Sequence, residues 1–66
     1  MLKFIKDASG YSATTSQGNT VRVERHCERD EWTVNVYDAD YAELDGYYGT
    51  AKTKRELVAD ANNWEV

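Results

Sequence analysis

The chain has 66 residues and a net charge of −4; a chain this short makes one domain, residues 1–66, and buries only about 60% of its unfolded surface. A hydrophobic fraction of 41% argues against disorder, and the acidity is a poor basis for nucleic-acid binding. A single cysteine excludes an internal disulfide.

The first strand is expected at Leu2–Lys6, with Leu2 and Phe4 on one face. Asp7-Ala8-Ser9-Gly10 is a turn cluster, because Asp and Ser bond their own backbone and Gly accepts positive φ. A second strand follows at Tyr11–Thr15, and Ser16-Gln17-Gly18-Asn19 closes a hairpin. Thr20–His26 alternates Val21 and Val23 inward with Arg22 and Glu24 outward. The strongest period in the chain is Trp32–Tyr37, where Trp32, Val34 and Val36 alternate with Thr33, Asn35 and Tyr37. It reads as the central strand.

Residues Asp38–Gly46 read as an acidic loop with a tight turn at Asp45-Gly46, and Tyr47–Ala51 as a short edge strand. Gly49 marks either a bulge or a close backbone approach. Thr53-Lys54-Arg55-Glu56 matches a capping box, in which the Thr side chain caps the N3 amide and the Glu reaches back. Leu57, Val58, Ala61 and Trp64 form one apolar stripe, and Asn62-Asn63 ends the helix with a left-handed residue. The stripe must cover Val21, Val23, Trp32, Val34 and Val36, since about ten helical residues are marginal alone. The fold class is therefore α+β: an antiparallel meander of three to five strands with one C-terminal helix on one face.

Charge is unevenly placed. Up to Arg29, five cations face three acids, giving +2; from Asp30 to Thr50 there are six acids and no base, giving −6; the remainder balances. Asp38, Asp40, Glu43 and Asp45 do not make a calcium loop of the EF type, because counting from Asp38 places Ala42 at position 5 and Glu43 at position 6. They are also too few to imitate more than a short piece of duplex DNA. A solvated loop is the plain reading of them, and an acidic partner-binding surface the functional one. Tyr37, Tyr41, Tyr47 and Tyr48 lie in the same acidic half, and tyrosine gives contact area at low entropy cost. If Tyr37 and Tyr11 share the solvent face with Thr33 and Asn35, that face is a candidate binding surface.

Lys52, Lys54 and Arg55 oppose the helix macrodipole, so local helix stability does not explain them. Ion pairing with the acidic segment is the preferred explanation, and an anion contact the other. His26 and Cys27 are neighbours and point apart on a strand, which argues against both a closed zinc site and a Cys–His nucleophile; Cys27 reads as a small, partly buried residue at a strand end. No phosphate loop, dinucleotide fingerprint or HExxH occurs, and a pocket of about 300 Å³ or more is not expected. Neither a signal peptide nor a membrane-length apolar run is present, so a cytoplasmic, non-enzymatic protein without cofactor or metal is expected.

Trp32-x-Val34-x-Val36, then Gly46-Tyr47-Tyr48-Gly49-Thr50, then Thr53-Lys54-Arg55-Glu56 opening a helix, resembles small orphan proteins of actinobacteria and their phages. The same outline resembles, more weakly, arm-type DNA-binding domains of phage integrases. With the first resemblance goes the leading expectation, a phage or mobile-element accessory factor that binds a host protein through the open sheet face or through the acidic, tyrosine-rich edge of Tyr37, Asp38, Asp40, Tyr41, Glu43, Asp45, Tyr47 and Tyr48. The second implies the alternative, a nucleic-acid-binding module using Arg22, Arg25, Lys52, Lys54 and Arg55. A homodimer through an exposed edge strand is a third possibility.

Overall fold

In the computed structural model, which describes residues 2–26 and 28–66, five strands run in chain order across one antiparallel sheet. They are β1 (Ile5–Lys6), β2 (Gly10–Thr14), β3 (Thr20–Arg25), β4 (Trp32–Tyr37) and β5 (Glu43–Ala51); helix α1 (Lys54–Asn62) follows. The readings of Cys27 lie outside the described residues. The fold is the expected α+β meander, with all five strands formed.

Valine alternation fixes the register. Val21 pairs with Val36 and Val23 with Val34, so four β-branched side chains form one fully buried block on one face. Leu57 and Ala61 of α1 close over it, and Val66 joins the same cluster. Leu2, Phe4, Tyr11, Trp32, Leu44, Tyr47, Ala51 and Trp64 pack around its rim. Burying one Val or Leu side chain contributes about 1.5–3 kcal/mol, so this small block carries most of the apolar driving force.

Four local expectations need correction. β1 is shorter than Leu2–Lys6, because β2 supplies partners only for Ile5 and Lys6; the Leu2 amide instead donates to Asn62 Oδ1 at 2.7 Å. Thr53 caps α1, its side chain accepting from the Glu56 amide at 3.4 Å, but the reciprocal bond to the Glu56 carboxylate is missing among the described residues. Asn63 ends α1 at φ −92 rather than in the left-handed region, and its side-chain amide donates to the Ala59 carbonyl at 3.2 Å.

The fourth correction is the largest. The hairpin after β4 turns at Asp38–Tyr41, not at Asp45-Gly46, and β5 begins at Glu43. Gly46 lies inside β5 at φ +87, within a register shift: Tyr37 pairs with Glu43 but Asn35 with Tyr48, so Val36 alone faces residues 44–47. That bulge lets both Leu44 and Tyr47 reach the core side although their spacing is three. Gly49 marks a close approach rather than the bulge; a Cβ there would stand 3.4 Å from Val34 Cγ1 and 3.7 Å from Leu57 Cδ2.

Candidate interaction surfaces

The hairpin between β4 and β5 is held by its first residue. The Asp38 amide donates to the Ala42 carbonyl and the Tyr41 amide to the Asp38 carbonyl, both at 2.9 Å. Asp38 Oδ1 also accepts from the amides of Asp40 (2.8 Å) and Ala42 (3.0 Å). Asp38 is thus a turn-building carboxylate, as Asp often is in such loops. Glu43 is engaged too: with the Asn35 amide oriented by its partners, its nitrogen donates to Glu43 Oε1 at 3.0 Å. Asp40 and Asp45 are the exposed members of the acidic set that make no side-chain hydrogen bond among the described residues.

The tyrosines separate. Tyr41 stands at the hairpin tip, 73% exposed, with φ +61. Tyr37 and Tyr48 lie on the sheet face opposite α1, Tyr48 being 60% exposed. Tyr47 points the other way and packs edge-on against Trp64, ring centroids 5.5 Å apart. Alternation along a strand puts Tyr47 and Tyr48 on opposite faces, so that much was readable once a strand was assigned.

The face away from α1 is uncovered. One row crosses all five strands through Ile5, Ser12, Arg22, Asn35 and Tyr48. Tyr11 is not on this face, so the condition that it share the face with Tyr37 is not met. Its partner is Val23, so it faces α1 and packs against Trp32 at 6.3 Å. At the middle of the open face Arg22 is fully engaged. Its Nη1 donates to Asp7 Oδ2 (2.9 Å), its Nε to Glu24 Oε1 (2.8 Å) and its Nη2 to Ser9 Oγ (2.7 Å).

Asp7 also accepts from the amides of Ser9 and Gly10, each at 2.9 Å, as the turn reading of residues 7–10 requires. The Arg22 hydrogen bond, joined by that from the Ser9 amide, pulls the Asp7 carboxyl down to about 2. The same pairing pushes the Arg22 guanidinium upward. A depressed carboxyl stabilises the fold while ionised. Its contribution is complete above the unfolded value near 3.8 and disappears as pH falls through about 2. Asp7→Asn is therefore expected to lower the melting midpoint at neutral pH, with the gap to the native chain closing between pH 4 and 2. Paired thermal melts across that range check this, and a gap that persists at pH 2 would refute it.

Arg25 pairs with Asp30 at 3.0 Å, both side chains being well exposed. Lys52, Lys54 and Arg55 do not meet the acidic hairpin. Trp32 pairs with Ala51 at one end of β4 and Tyr37 with Glu43 at the other, and the nine residues of β5 carry the basic cluster to the far end of the sheet. Lys54 Nζ instead sits 3.9 Å above the Tyr11 ring. Beside it, Phe4, Tyr11, Lys54, Arg55 and Val58 line a solvent-open groove of about 360 Å³. A second groove, of about 460 Å³, has Leu2, Thr15, Gln17, Asn62, Trp64 and Val66 among its walls. Both exceed what the chain length led us to expect.

Among the described residues no three His, Cys, Asp or Glu side chains gather as a metal-binding group, and no helix is long and apolar enough to cross a membrane. No family model, curated protein or solved structure matches this chain.

Proposed function

We propose that the protein is a non-enzymatic binding module that engages a partner protein through the acidic hairpin, with Tyr41 as its central contact. The backbone of Tyr41 carries this reading. It holds φ +61 in a residue 73% exposed, in a position that glycine or asparagine fills at least cost. An L side chain there costs about 1–2 kcal/mol, a large share of the roughly 3–5 kcal/mol a core of this size supplies. The ring lies outside the core cluster and its rim, so core packing does not offset that cost. Strain of this kind at an exposed aromatic is what recognition sites retain. The exposed Asp40 next to it in the turn, and Asp45 on the same hairpin, favour a basic partner surface.

The likeness to small actinobacterial and phage proteins makes a host protein the partner class and an accessory role the context. The nucleic-acid reading rests on Lys52, Lys54 and Arg55, with Arg22 and Arg25 already held by carboxylates.

Tyr41→Gly separates fold from function. The variant is expected to gain about 1 kcal/mol, raising the melting midpoint by about 4–8 °C, and to lose capture of proteins that the native chain retains from host lysate at moderate salt. An equally stable or more stable variant that captures the same proteins would overturn the reading. Recovery of nucleic acid that is lost at high salt would favour the basic cluster instead.

A further inference from the structure

The acidic hairpin and the groove beside Lys54 occupy opposite ends of one molecule whose longest extent is 31 Å. They cannot meet within a chain, since the six residues of β4 hold them about 17 Å apart. Their chemistries are complementary. Around the groove, Phe4, Tyr11 and Val58 supply apolar surface, while Lys54 and Arg55 line it and Lys6 stands opposite Tyr11 in the β1–β2 register. No carboxylate lines it, and among the described residues Lys6, Lys54 and Arg55 make no ion pair.

Helix α1 adds to the polarity. It starts at the groove and ends near the hairpin side, where Trp64 meets Tyr47, so its positive end reinforces the cations. Two basic residues in its first turn weaken the isolated helix, yet they complete a positive pole facing away from a negative one. At the negative pole, an exposed tyrosine with an unfavourable backbone follows Asp40 in the turn, and the exposed Asp45 lies farther along β5.

We infer that the groove receives the acidic hairpin of a second copy of this chain. Tyr41 enters between Phe4, Tyr11 and Val58, and Asp40 and Asp45 approach Lys54 and Arg55. This rests on the hairpin being the binding element and gives it a second use, self-assembly, beside the host-protein contact. The contact is heterologous: it uses different surfaces of the two copies and leaves one hairpin and one groove open, so assembly continues until a ring closes or a filament grows.

Sedimentation velocity from micromolar to millimolar protein, at low and at high salt, tests it. The native chain is expected to self-associate at low salt, about tenfold more weakly at high salt because the charges are exposed. Tyr41→Gly destroys the hairpin contact and keeps the groove. Lys54→Glu/Arg55→Glu does the reverse, with acids placed where the macrodipole favours them, so that variant should fold. Each alone is expected to be monomeric, and the two mixed should form a one-to-one heterodimer that grows no further. Circular dichroism of each variant confirms the fold. A native chain that stays monomeric at low salt and millimolar concentration overturns the inference, and if it still captures host protein through Tyr41, only the inference falls. Self-association of Tyr41→Gly at native strength, as a contact between edge strands would give, also overturns the inference, while the capture experiment still decides the hairpin's role toward a host protein. A failure of the mixed variants to pair also overturns the inference.

Discussion

Leu57→Ala is expected to leave the domain largely unfolded at physiological temperature. Leu57 is 1% exposed and is the largest of the fully buried side chains. It lies over the valine block of β3 and β4, and over Gly49, where the absence of a side chain lets the helix approach β5. A buried Leu→Ala change costs about 2–5 kcal/mol, against the roughly 3–5 kcal/mol available to a core of this size. There is no disulfide to limit the loss. A far-UV circular dichroism melt should show the midpoint down by at least about 8 °C or no cooperative transition at all. Leu57→Met, which keeps the volume, should cost under about 1.5 kcal/mol. A cooperative melt of Leu57→Ala within a few degrees of the native chain would mean that α1 does not hold the sheet.

Gly10→Ala is the second change with a large effect. A Cβ at Gly10 would stand 2.4 Å from the Val23 carbonyl oxygen and 3.1 Å from Glu24 Cα. Both are backbone atoms of β3, so neither can rotate away. The Gly10–Glu24 end of the β2–β3 ladder must open. The same glycine closes the turn over Asp7, its amide donating to Asp7 Oδ1 at 2.9 Å and its carbonyl accepting from the Asp7 amide at 2.8 Å. Crowding of this kind costs about 1–3 kcal/mol. Chemical denaturation should show that loss, and amide exchange should accelerate at Arg22 and Glu24 more than at Val34 or Val36. Gly18→Ala is the contrasting change: its backbone is left-handed but its surroundings are open, so it should disturb the turn without opening the β2–β3 ladder. Equal exchange at Glu24 in Gly10→Ala and the native chain would refute the steric argument.

The parts of the fold legible in the sequence are those where side-chain period and buried face coincide. Trp32–Tyr37 alternates without interruption, and β4 occupies those same residues. Val21 and Val23 mark β3 in the same way. Residues 38–46 were misread for a definite reason: Asp and Gly signal turns, and the inward residues Leu44 and Tyr47 are three apart because Gly46 sits in a bulge. No local pattern announces a bulge that depends on what β4 places opposite. The face of Tyr11 stays open in the sequence because its side is decided by pairing with Val23, not by its neighbours in sequence.

The charged groups follow the same division. That Asp7 caps its own turn was readable from residues 7–10. That it also clamps Arg22, 15 residues away, follows only from the register of β2 against β3. The basic cluster follows the acidic segment closely in sequence, which suggested pairing, but an extended β5 separates them by the length of the sheet. The strain at Tyr41 had no sequence signal either, since tyrosine is a common strand residue.

The sequential strand order carries a consequence for how this chain acquires its fold. Each ladder joins strands that are neighbours along the chain, so contact order is low and the hairpins can zip one after another, each on a timescale of about 1–10 μs. The covering helix is the last element in the chain order. During synthesis the four valines of β3 and β4 therefore emerge before anything exists to shield them, and the growing chain passes through a stage in which a paired sheet presents a naked apolar face. The vulnerable moment of this fold lies between the pairing of β4 with β3 and the docking of α1, when the sheet is formed and its apolar face is at its stickiest.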